Sequence, residues 1–298
     1  MSSTLENPAT TANPFPDEVV THTPVRDVAL PGAAGTMALL TLDNGFDHTK
    51  PNTFGPATVV GLQATLDALR TRAVTGEIQA VGITGKPFVF AVGADLKAVA
   101  TARTRDQALE VARAGHRAFA AIMDLPVPTF AFVNGAAMGG GLEIALACDY
   151  RSVSAGVPAI ALPETFLGLV PGWGGCYLLP NLVGPENALT LIIANPMNTN
   201  RMMTGPQAKA LGIADVLLEP ADFLEESLTW AAGVVAGTTT VERCEVSRDE
   251  SVWANAVSAA RKMVDLKTGR QSPAPYRALD LVAAARTSTR DDAFAAED

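Results

Sequence analysis

Two segments of the chain combine neighbouring glycines with a single carboxylate in an apolar run. In VNGAAMGGGLEIALACDYR, residues 133–151, Glu143 follows three consecutive glycines, and in ALPETFLGLVPGWGG, residues 161–175, Glu164 precedes an apolar run. Glycine is unfavourable inside a helix, and an unpaired carboxylate in apolar surroundings is costly. Taken alone, the glycine triplet is also explained as a loop before a buried helix, with Glu143 in a salt bridge or in solvent.

A third segment adds a small-residue turn. FAVGADLKAV, residues 90–99, contains the sequence Gly93-Ala94-Asp95. Two carboxylates with two such turns are what acid–base chemistry beside a developing oxyanion requires, because residues without bulk let a substrate oxygen approach backbone N–H groups. The carboxylates must then lie in poor solvent, so that the pKa of at least one rises and one group gives a proton while the other takes one.

The elements that position these segments alternate between strand and helix. Hydrophobic periodicity and turn residues predict a strand hairpin, two amphipathic helices and three further strands before the glycine triplet. We expect an α/β core with largely buried strands. The predicted strands are Val25–Leu30, Met37–Leu42, Ile78–Thr84, one in PFVFAVGADLKAV and Thr129–Val133, and the predicted helices are Val59–Ala73 and Asp106–Met123.

Three parts of the chain differ in composition. Residues 1–24 are polar and proline-rich, which predicts a loosely attached arm. Residues 25–219 carry the alternating pattern, and residues 220–298 read as helices at Ala221–Ala236, Ser251–Leu266 and Ala274–Arg286. The apolar stripes of this helical region are suited either to covering the core or to packing against another subunit.

Composition excludes several classes of protein. The 298-residue chain is 48% hydrophobic with a net charge of −9, which argues against nucleic-acid binding. Its three cysteines form no CxxC pair, which predicts reduced thiols and no metal site. The sequence shows no signal-peptide pattern and no apolar run long enough for a membrane span. These features predict a cytoplasmic location away from membranes. The GITGKP sequence around Lys86 lacks the spacing of a phosphate-binding loop, and no GxGxxG unit is present.

The three segments, in this order, resemble those of the crotonase (enoyl-CoA hydratase/isomerase) superfamily. The resemblance runs from roughly Val25 to Leu218 and is specific because all three segments match. It implies an α/β fold, a crotonase-like spiral of ββα units with a helical C-terminal trimerisation region, assembled as a homotrimer or a dimer of trimers. It also implies an acyl-CoA substrate and no separate cofactor, since coenzyme A is part of the substrate.

The resemblance assigns roles to individual residues. The N–H groups of Ala94 and Gly140 would form an oxyanion hole for the thioester oxygen, assisted by the helix that begins at the triplet. Members that hydrate 2-enoyl-CoA carry glutamates at both motif positions, which are Glu143 and Glu164 here. Glu143 would act mainly as the base for water, Glu164 would supply the α-proton, and the N–H of Gly172 would position the water.

Further residues are expected to line the substrate site. They are Gly93, Asp95, Leu96, Lys97 and Trp173. Trp173 departs from the family pattern, which has a small residue between the glycines of PGxGG, and it either narrows the acyl pocket or packs in the core. Lys50 is suited equally to the nucleotide of coenzyme A and to solvent, while His48 and His116 are expected to be non-catalytic.

The expected activity is therefore that of a hydro-lyase, an enoyl-CoA hydratase in fatty-acid β-oxidation-type metabolism. Enoyl-CoA isomerisation and acyl-CoA thioester hydrolysis remain alternatives within the fold, and a non-enzymatic binding protein is disfavoured by the intact glutamates. Some multifunctional β-oxidation enzymes join a hydratase region to a dehydrogenase. This chain would be such a hydratase part, either standing alone or excised.

Overall fold

The strands are divided between two sheets. The computed structural model describes residues 18–95 and 104–298. Its strands are β1 (Val25–Ala29), β2 (Thr36–Leu42), β3 (Ala80–Gly85), β4 (Val89–Val92), β5 (Thr129–Val133), β6 (Ala136–Met138), β7 (Tyr150–Ser154), β8 (Ile160–Ala161) and β9 (Val216–Leu218). A six-stranded sheet has the order β1-β2-β3-β5-β7-β9, and a three-stranded sheet has the order β4-β6-β8.

The helices follow the strands in a regular pattern. They are α1 (Pro56–Val74), α2 (Arg105–Met123), α3 (Gly140–Ala147), α4 (Gly175–Val183), α5 (Pro185–Leu189), α6 (Gly205–Leu211), α7 (Phe223–Val235), α8 (Glu250–Thr268), α9 (Pro273–Ala284) and α10 (Arg290–Glu297). Short 3₁₀ segments at Pro31–Ala33 and Glu164–Leu167 and a π segment at Thr190–Ala194 complete the described structure.

The chain repeats a ββα unit. In each repeat the first strand (β3, β5, β7) enters the large sheet, the second (β4, β6, β8) enters the small sheet, and a helical segment follows. Apart from the antiparallel β1–β2 hairpin, the strand pairs are parallel, so the small sheet presents all its carboxyl ends at one edge. This confirms the predicted α/β spiral, including the hairpin and the early helices.

The C-terminal helices cover the chain's own core. Trp253 and Val264 from α8 and Leu279 from α9 are buried in the main hydrophobic cluster, together with residues of the sheets. Phe223 from α7 belongs to a second cluster with Phe130 on the other face of the large sheet. The apolar stripes of this region are thus used, at least in part, within the subunit.

The described part of the predicted N-terminal arm is fastened to the core. The Glu18 carboxylate accepts hydrogen bonds from the N–H groups of Ala57 and Thr58, both at 3.0 Å, in the first turn of α1. His22 pairs with Asp43 in an antiparallel bridge. Residues 18–24 are therefore attached rather than loose, and residues 1–17 lie outside the described residues. No helix in the described ranges combines the length and apolarity needed to cross a membrane.

Candidate active site

The candidate site lies at the carboxyl edge of the small sheet. The register pairs Val92 of β4 with Met138 of β6, and Met138 with Ala161 of β8. Each of the three motif segments contains one of these strand ends and the residues that follow it. Because parallel neighbours lie about 4.8 Å apart, in-register strand ends bring Ala94 and Gly140 close together, with Glu164 three residues beyond the end of β8.

The two small-residue turns, which carry the N–H groups of Ala94 and Gly140, lie in contact with each other. Ala94 and Gly140 each follow a glycine with positive φ, 68° at Gly93 and 52° at Gly139, a conformation that glycine adopts without steric cost. A Cβ placed on Gly139 would lie 3.4 Å from the Cα of Gly93, so the turns touch. Among the described residues, neither the Ala94 nor the Gly140 N–H donates to a partner. A pair of unused, adjacent donors can bind an oxyanion.

Glu143 is held by the turn before α4. The residue is only 2% exposed, and its Oε1 accepts hydrogen bonds from the N–H groups of Trp173 and Gly175, both at 2.9 Å. Burial and then the charge of Glu297 raise the pKa of Glu143 to about 7, against the lowering effect of these two hydrogen bonds. A carboxyl group with this pKa can take or give a proton near neutral pH.

Glu164 faces Glu143 from the 3₁₀ segment after β8. Its Oε2 is buried and has no hydrogen-bond partner in the described part of the chain, and its Oε1 would lie 2.5 Å from a Cβ on Gly139, so the carboxyl group is directed at the glycine triplet. Burial, followed by the charge of Glu143, raises its pKa well above 4.5. The protonated form of this carboxyl group is lower in free energy here than the ionised form, because an unpaired buried charge is costly.

The PGWGG segment contributes backbone N–H groups and the large Trp173 side chain to the site. The N–H of Gly172 donates to no group among the described residues, while the next residues supply the hydrogen bonds to Glu143. The Trp173 side chain is 6% exposed and lies edge-on to Phe54 and Phe119. A Cβ on Gly140 would lie 2.6 Å from the Trp173 ring. Trp173 is thus a core residue that also packs against the oxyanion turn.

The remaining predicted substrate-site residues follow Ala94. The N–H of Asp95 donates to the Phe54 carbonyl at 3.0 Å, which ties the turn to the loop before α1. Leu96 and Lys97 lie outside the described residues. Lys50 stacks over the Phe46 ring, 4.0 Å from its centroid.

Sequence reasoning missed a further acid next to the site, the buried Glu297. Its side chain is 1% exposed and meets His116 at 3.0 Å and the N–H groups of Gly174 and Cys176 at 2.6 and 3.0 Å. Its helix, α10, also buries Ala293 and Phe294, so an acid on the same apolar face was the available signal. His116, expected to be non-catalytic, contacts this acid and not Glu143.

Comparison with known proteins agrees with this geometry. A family model described as "Enoyl-CoA hydratase/isomerase" matches residues 33–267. The chain belongs to the enoyl-CoA hydratase/isomerase family. The resemblance inferred from the three sequence segments is therefore confirmed.

Other members of the family are similar over most of this chain. The fatty acid oxidation complex subunit alpha of Idiomarina loihiensis is 34% identical over 254 residues, which cover 83% of this chain and 34% of that protein. The protein of the same name from Shewanella loihica is 33% identical over 208 residues, covering 67% and 28%. The family region here thus spans about a third of the length of these curated relatives.

Solved structures share the fold. Pseudomonas aeruginosa DspI is 29% identical with a TM-score of 0.62, covering 86% of this chain and 91% of that one. An enoyl-CoA hydratase from Bacillus anthracis is 26% identical with a TM-score of 0.61, covering 86% and 90%. These similarities establish a crotonase-type fold for this family member.

Proposed function

We propose that this chain is an enoyl-CoA hydratase, which adds water syn to the double bond of a 2-enoyl-CoA thioester. The observation that carries the proposal is the presence of two carboxyl groups, the buried Glu143 and the half-buried Glu164 with its enclosed Oε2, beside two N–H donors that have no partner among the described residues. Hydration needs a group that activates water, a group that gives a proton to carbon, and donors for the thioester oxygen. The site offers all three.

The environments of the two acids support a division of roles. Glu143 keeps two N–H donors on one oxygen, which favour its charged form, and its pKa is about 7. Glu164 has a buried oxygen to which no group of the described residues donates, and its pKa is raised well above 4.5. Glu143 is accordingly the base and Glu164 the acid. Because the charge of Glu143 raises the pKa of Glu164, the protons belong to the pair.

The reaction then proceeds with a balanced transfer of protons. Glu143 takes a proton from water as the water oxygen bonds to the β-carbon, and the π electrons move onto the thioester oxygen as an enolate. The N–H groups of Ala94 and Gly140 stabilise that oxygen, aided by the positive end of α3. Glu164 gives its proton to the α-carbon, the carbonyl re-forms, and the proton on Glu143 returns to Glu164 through the next water.

The family also contains isomerases, and the relatives named above are subunits of a fatty acid oxidation complex. An acyl-CoA substrate is supported by this family membership. We include in the proposal a cytoplasmic homotrimer or dimer of trimers, and a role as the hydratase part of β-oxidation-type metabolism.

Isomerisation would need one proton-shuttling carboxylate, so the second acid favours hydration. Thioester hydrolysis would instead release free thiol.

The test measures three products with one protein preparation. The protein is incubated with crotonyl-CoA and longer 2-enoyl-CoAs, and loss of the enone absorbance reports hydration, while a thiol reagent reports hydrolysis. A 3-enoyl-CoA substrate reports isomerisation by a gain of enone absorbance. We expect hydration to be the fastest, with Glu143→Gln and Glu164→Gln each lowering kcat by about two to four orders of magnitude.

The matched control is Glu226→Gln, which removes an exposed glutamate from α7. It should leave kcat unchanged. A Glu164→Gln enzyme with near-full hydration would contradict the two-acid assignment and favour a one-acid mechanism. Absence of enone loss at every chain length, with enone gain or thiol release instead, would replace the hydratase proposal by isomerase or hydrolase.

A further inference from the structure

The turn before α4 lies between two buried carboxylates. The N–H groups of Trp173 and Gly175 donate to Glu143, whereas those of Gly174 and Cys176 donate to Glu297. Four successive donors therefore alternate between the two acids. The alternation depends on Gly174, whose φ of 107° turns successive peptide planes to opposite sides.

These donors belong to the start of a helix and need acceptors. The first N–H groups of an α-helix have no intrahelical partner, and those at the start of α4 are buried. Glu143 reaches them from α3 and Glu297 from α10. Loss of either acceptor would leave buried donors unpaired and free the turn to move, and the same turn fixes the orientation of Glu143.

His116 on α2 supplies a countercharge on the Glu297 side. Its Nε2 lies 3.0 Å from Oε2 of Glu297, and its Nδ1 lies 2.9 Å from Oδ1 of Asp298. A ring that donates from both nitrogens is the imidazolium form. Burial lowers the pKa of His116, but the two carboxylates outweigh burial and the pKa is raised. Phe294 stacks on the ring at 4.6 Å and fixes its plane.

The charges around Glu143 therefore come from several elements. Glu164 faces it from the 3₁₀ segment, Glu297 from α10 and His116 from α2. Two groups beyond these act on the same cluster: Arg113 pairs with Asp298 at 3.1 Å, and Arg277 on α9 lies near Cys176. Negative Glu297 raises the pKa of Glu143, and positive His116 lowers it.

We propose that Glu297 and His116 are positioning residues for Glu143, which hold the Trp173–Cys176 turn and set the electrostatic balance of the catalytic base through it. The proposal rests on the proposed function, because it takes Glu143 as the base for water. Neither residue touches the reacting atoms. A purely structural tie between α2 and α10 would instead affect stability and leave the titration of Glu143 unchanged.

The test compares Glu297→Gln with His116→Gln, both in the full chain. Removing the negative charge of Glu297 should move the acid limb of the hydration pH profile down by about half to one pH unit, and removing the cation should move it up by a similar amount. In both variants kcat should fall about tenfold, as for a slightly misplaced catalytic group, while KM stays unchanged. Opposite shifts are the signature, because general loosening would move both variants in one direction.

The control is Asp215→Asn, which removes a carboxylate whose side chain is also 1% exposed but which pairs with Arg243, away from the turn. It should lower the melting temperature without moving the acid limb. The two test variants change different helices, so if one fails to fold, the direction of the shift in the other still decides: Glu297→Gln must move the limb down, and His116→Gln must move it up. Equal or same-direction shifts in the two variants would overturn the inference.

A substrate-free measurement separates this inference from the proposed function. The titration midpoint of Glu143 is read by ¹³C NMR of glutamate-labelled protein, with its resonance identified by loss in Glu143→Gln. Opposite midpoint shifts in a protein that hydrates no enoyl-CoA would support the positioning pair and reject the hydratase proposal. Unmoved midpoints in an active hydratase would reject the positioning pair alone.

Discussion

Replacing Glu143 by glutamine should stabilise the folded protein at alkaline pH. The carboxyl group is 2% exposed, and its pKa rises from 4.5 to about 7 on folding, chiefly because burial disfavours its charge. The two hydrogen bonds that it accepts within residues 18–95 and 104–298 end on one oxygen, Oε1, so the glutamine carbonyl can accept them in its place. The variant therefore removes the charge while keeping the contacts.

The magnitude follows from linkage between protonation and folding. Below pH 4.5 Glu143 is neutral in both states, and between pH 4.5 and about 7 only the folded state retains the proton, so the free energy of unfolding falls as the pH rises. Above about pH 7 the group is ionised in both states and the full cost remains. At about 1.4 kcal/mol per pKa unit, the interval from 4.5 to about 7 amounts to about 3 kcal/mol.

Urea unfolding followed by far-UV circular dichroism measures the effect. The free energy of unfolding of Glu143→Gln, relative to the original protein, should rise by up to about 3 kcal/mol between pH 4.5 and 8. Glu226→Gln, which alters an exposed glutamate, should show no such rise. Parallel pH dependence of Glu143→Gln and the unaltered protein would show that Glu143 titrates normally when folded, and the reasoning from burial would be refuted.

Two further predictions concern the glycine triplet and Trp173. In Gly140→Ala the new Cβ would lie 2.6 Å from the Trp173 ring and displace the turn. The kcat should therefore fall by about 10²–10³ through loss of an oxyanion donor. The control Gly61→Ala has open space around its Cβ and should keep the original kcat, and equal kcat values in the two variants would exclude a role for the Gly140 N–H. Trp173→Ala should lower the free energy of unfolding by about 3–5 kcal/mol in urea titrations, because the Trp173 side chain is 6% exposed and packs against Phe54 and Phe119. A loss below about 1 kcal/mol would contradict its place in the core.

Much of the fold could be predicted from local patterns. The predicted strand Thr129–Val133 coincides with β5, and the predicted helix Asp106–Met123 agrees with α2 to one residue. Both elements are long or strongly apolar, so their hydrophobic pattern can be recognised in the sequence. The strands of the small sheet were harder, because β6 has three residues and β8 two. Elements this short contain too few side chains to display alternation.

The candidate site could also be predicted in part from the sequence. The segments around Ala94, Gly140 and Glu164 were identified from residue types and order, and they meet at one sheet edge. The donors that hold Glu143 were not identified, because they are the N–H groups of Trp173 and Gly175 rather than side chains. Every residue except proline carries such a donor, so residue type does not single these out.

The sequence by itself determined which groups are available: two acids in apolar runs, glycines at the turns, and strands and helices in an order that builds ββα units. Tertiary structure decided how these groups act on one another. His116 and Glu297 are separated by 181 positions in the chain, yet their contact contributes to the charge balance around Glu143. Periodicity reports on neighbours within one element, whereas desolvation and charge depend on distances in space between elements far apart in sequence.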